Sequence, residues 1–187
     1  MLERPFPMTG AIMGIALGGC LLAGPVRATL AVGDTAPDFT LPAALGGKPF
    51  TFSLSDALRR GPVVVYFYPK SFTRGCTIEA HEFAEASADF TAAGASLIGI
   101  SADPLATQVE FSSKECRDKF PVAADPAASV IEAYDSVRVG AASTMADRIS
   151  YVIAPNGKVG YVFSDRAPER HVENTLSFIR RHRIPQR

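Results

Sequence analysis

The chain has 187 residues, 47% of them apolar and 20% charged, with 19 basic against 19 acidic side chains and three cysteines. That length and composition suit one globular domain with a core of its own. The balanced charge gives no footing for a nucleic-acid partner, and neither a fixed-period repeat nor a low-complexity block is present.

The N-terminus stands apart. Ala11–Ala23 reads AIMGIALGGCLLA, without a charge. It is shorter than the roughly 17–25 residues of a spanning helix and matches the about 7–15 residues of a secretory signal's apolar region. Val26-Arg27-Ala28 offers small-residue cleavage after Ala28, and Thr29-Leu30-Ala31 offers it three residues later. We therefore expect residues 1–28 to be a signal peptide and residues 29–187 to be one exported, periplasmic domain. Leu17-Gly18-Gly19-Cys20 resembles a lipidation site, but the apolar Leu21-Leu22-Ala23 that follows ranks lipidation at Cys20 second. Cleavage leaves two cysteines, Cys76 and Cys116, in an oxidising compartment where thiols can pair.

From Val32 to Leu54 the chain is rich in Gly, Pro and Thr around short apolar pieces, which predicts an N-terminal β-hairpin. Ser53 to Arg60 reads as a short helix that Gly61-Pro62 stops. Residues 62–68, PVVVYFY, form a continuous β-branched and aromatic run, the signature of a strand covered on both faces. Thr73 to Thr91 is helical, with Cys76, Ala80, Phe83, Ser87 and Phe90 on one face. Ala95 to Ile100 is a second buried strand. The next helix runs to about Lys114, with Asp103 as its N-cap and Pro104 at its first position. Pro121–Ala124 is a strand piece and Ala127–Tyr134 a helix. Pro155-Asn156-Gly157 joins strands Ile149–Ile153 and Lys158–Phe163 as a hairpin. Glu169 to about Arg181 closes the chain as a helix. Alternation of this kind predicts an α/β domain with a central mixed sheet flanked by helices.

The stretch Tyr68–Ala80, YPKSFTRGCTIEA, carries the chemistry. It places Cys76 in the first turn of a helix that follows a buried strand. Unpaired backbone N–H groups and the positive end of the helix dipole gather there, and both favour a thiolate. Gly75 removes a side chain beside the sulfur, so a small substrate can approach. Pro69 fixes the loop. Three residues before Cys76 stands Thr73 instead of a second cysteine, which rules out dithiol exchange with that neighbour. Its hydroxyl either caps the helix or faces a substrate oxygen.

Pro69, Thr73 and Cys76 resemble the Pro-x-x-x-Thr-x-x-Cys motif of the peroxiredoxins, nearest to the bacterioferritin-comigratory, PrxQ-type branch, and Glu79 matches the Glu three residues on. Gly33–Pro42, GDTAPDFTLP, is similar to that family's opening, and Asp147–Ile153 with Asn156-Gly157 is similar to its late Arg-then-strand pattern. The resemblance spans nearly all of the mature chain. It implies a thioredoxin-like fold and a peroxidase that needs no cofactor or metal. Cys76 would be the peroxidatic thiolate, oxidised to a sulfenic acid. Arg148 would sit over the sulfur, and Thr73 and the Cys76 N–H would hold the peroxide oxygens. The implied partners are a hydroperoxide substrate and a thioredoxin-like or other thiol reductant, with no nucleic acid, and the protein would be a monomer or weak homodimer.

Many relatives in that branch carry a resolving cysteine five residues after the first; here that position is His81. Cys116 is the remaining candidate for a disulfide with Cys76. Otherwise an outside thiol resolves the sulfenic acid and Cys116 is a half-buried structural cysteine. Glu79 positions Arg148 or a backbone group, or is a first-turn helix acid. Phe72 walls the pocket or closes the core, and Arg74 adds positive field or points to water. His81 reads as a surface residue, and His171 and His182 as solvated ones. Two other functions compete: an extracytoplasmic thioredoxin-like disulfide reductase, opposed by the missing Cys-x-x-Cys, and a copper-binding chaperone. The latter is opposed by Cys76 and His81 facing different ways.

Overall fold

The computed structural model describes residues 29–141 and 143–182. The expected signal peptide, its cleavage site after Ala28 and Cys20 lie outside the described residues.

The chain runs β1 (Thr40–Leu45), β2 (Lys48–Ser53), α1 (Leu54–Leu58), β3 (Val63–Phe67), α2 (Arg74–Ala92), β4 (Ser96–Ser101), α3 (Leu105–Lys114), β5 (Val122–Ala124), α4 (Ser129–Ala133), β6 (Ile149–Ile153), β7 (Val159–Ser164) and α5 (Glu169–His182). The seven strands form one sheet in the order β2-β1-β5-β4-β3-β6-β7. The β3–β4 and β4–β5 pairs are parallel and the other four are antiparallel, so the sheet is mixed, as expected. The opening hairpin turns at Gly46-Gly47, both at positive φ (56° and 72°), where a residue with a Cβ would be strained.

The central strand, β3, explains the layering. Successive side chains point to opposite faces. Val63, Val65 and Phe67 pack on one face with Leu54, Ala57, Val130 and Ile131 from α1 and α4. Val64 and Tyr66, with Tyr68 just beyond, pack on the other with Phe83 of α2, Phe111 of α3 and Leu176 of α5. Both faces are covered by helices, so the strand is apolar throughout. The fit is tight where β3 meets β4: a Cβ at Gly99 would lie 2.6 Å from Cζ of Tyr66. We expect Gly99→Ala to lower the unfolding free energy by about 1–3 kcal/mol. An unchanged denaturation midpoint would mean that Tyr66 can move aside.

Two expectations need correction. The N-cap of α3 is Pro104, not Asp103, and its end has no side-chain cap. The Asp103 carboxylate is drawn away, accepting from the Ser71 N–H at 2.7 Å and the Ser101 hydroxyl at 2.8 Å. Thr73 is the N-cap of α2, but its hydroxyl does not cap the helix. It donates instead to the Lys70 carbonyl at 2.9 Å.

Candidate active site

Strand β3 ends at the sheet's C-terminal edge, and the loop Tyr68–Thr73 carries the chain into α2. Several bonds hold that loop. The Tyr68 hydroxyl donates to Oε1 of Gln108 at 2.7 Å, and Nε2 of Gln108 donates to Oγ of Ser101 at 2.7 Å. The Ser71–Asp103 bond adds a third tie. Phe72 adopts φ 63°, unusual for an aromatic residue, and its ring meets Phe111 edge-on at 5.2 Å. It stays 43% exposed, so it forms part of the site's rim more than its core.

The first N–H of α2 to find a helical acceptor is that of Thr77, which bonds the Thr73 carbonyl at 2.9 Å. The N–H groups of Arg74, Gly75 and Cys76 therefore lack intrahelical partners. Cys76 sits among them, only 2% exposed. Nη2 of Arg148 donates to its Sγ at 3.5 Å. Nη1 of the same guanidinium pairs with Oε2 of Glu79, one helical turn along α2 from Cys76. One arginine thus bridges the thiol and a buried carboxyl. The space left by Gly75 serves that bridge, because a Cβ there would lie 3.2 Å from Nη2 of Arg148. The glycine makes room for the guanidinium rather than for a substrate.

Burial works against the Arg148 charge, but Glu79 and Cys76 beside it more than offset this, and its pKa is raised. Burial likewise pushes the Glu79 carboxyl up, to about 8, while the guanidinium pulls the other way. Arg148 is therefore cationic in every state of the site. Such a centre can hold a nucleophilic sulfur next to a fixed positive charge and a cluster of outward N–H donors, in a place nearly closed to water.

The AhpC/TSA family matches residues 32–162. The chain belongs to that family. The chloroplastic peroxiredoxin Q of Oryza sativa subsp. japonica is 34% identical over 188 aligned positions, covering 92% of this chain and 84% of that protein. The structure of peroxidoxin BcpB from Mycobacterium tuberculosis superposes with a TM-score of 0.73 at 33% identity, over 81% of this chain and 97% of that one. A PrxQ of Xylella fastidiosa gives 0.73 at 26% identity, over 83% and 99%. The protein is a peroxiredoxin of the PrxQ-like branch, with the thioredoxin-like fold and the peroxidase activity of that group.

In this peroxiredoxin the expected residues are only partly gathered. Pro69 and Arg148 line one small cavity, Arg148 joins it to the buried Cys76 and Glu79, and Thr73 is exposed at the start of α2. Arg74 is exposed. Cys116 lies apart, just after α3, and is fully buried rather than half-buried. Burial pushes its thiol pKa well up, with Glu115 adding to the effect. Nε2 of His81 meets Oε2 of Glu115 at 2.8 Å, and Arg117 meets Glu85 at 3.1 Å. These contacts tie the Cys116 segment to α2. Both thiols are free.

His171 corrects the expectation of a solvated histidine: it is fully buried. Its Nε2 bonds the Asp165 carbonyl at 2.9 Å, which requires a proton on Nε2. Nδ1 then accepts from the Ser150 hydroxyl at 2.8 Å and lies 4.0 Å from Oε1 of Glu79, an oxygen with no hydrogen-bond partner among the described residues. Reasoning from the sequence missed this layer. The signal was the spacing of His171, Val172, Thr175, Leu176 and Ile179, the buried face of α5.

Burial holds the His171 imidazole down, to about 4 from 6.5, with the Arg148 charge adding to it. The unfolded chain takes up a proton near 6.5 that the folded ring refuses until about 4. The histidine's contribution to stability is therefore complete above pH 6.5 and is lost as pH falls to about 4, roughly 3 kcal/mol in all. We expect the stability difference between the native protein and His171→Gln to shrink by that amount across the window. Urea titrations at several pH values measure it; a constant difference would contradict the neutral, buried ring.

Proposed function

We propose that the protein reduces hydrogen peroxide and organic hydroperoxides through Cys76, with Cys116 as the resolving cysteine and a thioredoxin-like dithiol as the final donor. The observation that carries this reading is the Arg148 guanidinium, bonded to Cys76 Sγ on one side and to Glu79 on the other. The Cys76 thiolate attacks the distal oxygen of ROOH. The O–O bond breaks and its electron pair leaves on RO⁻, which takes a proton to become alcohol or water. Arg148 and the outward N–H groups at the start of α2 stabilise that developing charge. The Thr73 hydroxyl, donating its hydrogen bond to the Lys70 carbonyl, keeps lone pairs free to accept the peroxide O–H. Pro69 fixes the loop that presents them.

Cys76 is left as a sulfenic acid. The Cys116 sulfur attacks it, a disulfide forms and water departs. The donor dithiol returns two electrons and two protons. The Cys116 segment is anchored to α2 at His81 and Glu85, about 7–14 Å along the helix axis from Cys76, and a Cα separation above about 7 Å demands local opening before a disulfide can close. Resolution on this reading needs the first turns of α2 and the Cys116 segment to open. Consecutive positive φ at Arg117 (52°) and Asp118 (59°) supports a segment that gains by opening. The free chain acts as a monomer or weak homodimer and takes no metal or nucleic acid. The apolar run Ala11–Ala23, followed by Val26-Arg27-Ala28, supports export to the periplasm after cleavage at Ala28.

Intact mass after one equivalent of hydrogen peroxide tests the resolving step. Loss of two hydrogens is the expected result. Gain of one oxygen would mean that an outside thiol resolves Cys76, and that Cys116 is structural.

A further inference from the structure

A cavity of about 150 Å³ is lined by Pro69, Arg138, Asp147, Arg148 and Arg166, and Arg148 in its wall bonds the Cys76 sulfur through Nη2. Pro69 and Arg148 belong to the site already described, whereas Arg138, Asp147 and Arg166 add to it. Arg138 comes from the segment between α4 and β6, where its N–H bonds the Met145 carbonyl at 2.9 Å. Arg166 comes from the turn between β7 and α5. Neither side chain makes an ion pair among the described residues, and both are exposed. Arg148 is already committed to Glu79 and Cys76. The Oδ1 atom of Asp147 accepts the N–H of Arg148 at 3.0 Å, a contact within its own strand approach.

The cavity therefore carries three guanidinium groups against one carboxylate in a chain whose total charge is zero. A uniformly basic surface does not explain this local excess. Hydrogen peroxide, with two heavy atoms, does not need it: one water-sized molecule takes about 30 Å³, and the cavity holds several times that. The unused volume and the unpaired forks of Arg138 and Arg166 fit an anionic group carried by the substrate. Guanidinium forks match a carboxylate in geometry as well as charge.

We propose that Arg138 and Arg166 form a subsite for the substrate's own anion, and that the enzyme favours hydroperoxides bearing a carboxylate a few bonds from the O–O group. The subsite rests on Cys76 being the reacting thiol. It acts on capture and orientation of the substrate, leaving bond breaking to Cys76 and Arg148. Because both side chains are exposed, the preference is screened by salt.

The test compares 3-hydroperoxy-3-methylbutanoate with its methyl ester in single-turnover oxidation of the reduced full-length protein, without any protein reductant. The readout is the ratio of second-order rate constants for acid over ester within each enzyme, so a general loss of folding or reactivity cancels. We expect the native ratio at low salt to be about tenfold, and the Arg138→Ala, Arg166→Ala double variant to bring it to about one, the range expected for exposed charge-assisted contacts. We also expect 0.5 M salt to erase the native preference. A native ratio near one, or a ratio that survives the double substitution, overturns the subsite. If the variants keep the native ratio and, in a separate turnover assay with a protein dithiol, slow only the reduction step, the arginines serve that partner and the subsite is again overturned. Native protein that reacts with hydrogen peroxide but not selectively refutes the subsite alone; native protein that reacts with no peroxide refutes the thiol peroxidase reading beneath it.

Discussion

Cys76→Ser leaves the fold intact and reduces peroxide consumption by roughly 10⁴-fold or more. The side chain is 2% exposed, and oxygen takes sulfur's place at nearly the same volume, so packing changes little. The chemistry changes far more. A serine hydroxyl remains protonated at neutral pH even beside a guanidinium, and it is a poor nucleophile toward an O–O bond. Cys116→Ser behaves differently. It still consumes one equivalent of peroxide, because the first step does not involve Cys116. Coupled peroxide assays and denaturation midpoints of the two variants give the comparison. Equal residual activity in Cys76→Ser and native protein would remove Cys76 from the reaction.

Arg148→Ala has two effects that can be measured separately. It removes the donor that lies 3.5 Å from Cys76 Sγ, and we expect kcat/KM for hydrogen peroxide to fall by about 10²–10³. It also strands Glu79: among the described residues its Oε1 already lacks a hydrogen bond, and its Oε2 loses the bond from Arg148. Removing one partner of a buried pair costs about 3–5 kcal/mol when the other stays charged. Glu79 can escape by binding a proton, which its burial favours. The loss of stability should therefore be larger at pH 9 than at pH 6. Arg148→Lys keeps a charge but not the two-pronged reach, and recovers only part of the activity. Glu79→Gln takes the carboxylate from the Arg148 cation but keeps an amide oxygen to accept from Nη1, and Cys76 still lies beside Nη2, so it should be the milder substitution for stability. If Arg148→Ala weakens catalysis but destabilises equally at both pH values, the Glu79 account is wrong.

Much of this was legible in the sequence, for identifiable reasons. The all-apolar run at β3 announces a strand covered on both faces, and the helix after it announces an N-terminus where a thiol gains from unpaired N–H groups. Element order, the mixed sheet and the closing hairpin follow from strong local patterns. What the sequence hides is contact between distant elements. Docking of the first hairpin on β5 depends on two short pairings, Ala43 with Ala123 and Ala44 with Val122, that carry no local signal. Asp103 has the composition of a cap but is recruited by Ser71 and Ser101 from elsewhere in the chain. Gly75 reads as open space for a substrate until Arg148 is seen to arrive from β6's approach, 73 residues later. His171 looks like any polar residue near a helix start until Ser150 and the Asp165 carbonyl enclose it. In each case the sequence names the residue and the tertiary structure supplies its partner.

On the proposed mechanism the Cys76 sulfur is the atom that peroxide oxidises. Cys116→Ser protein, reduced and then given one equivalent of hydrogen peroxide in the presence of dimedone, tests it most directly. The expected result is a single dimedone adduct on the peptide containing Cys76 within seconds. A free Cys76 thiol at that time, with the peroxide unconsumed, would contradict the account.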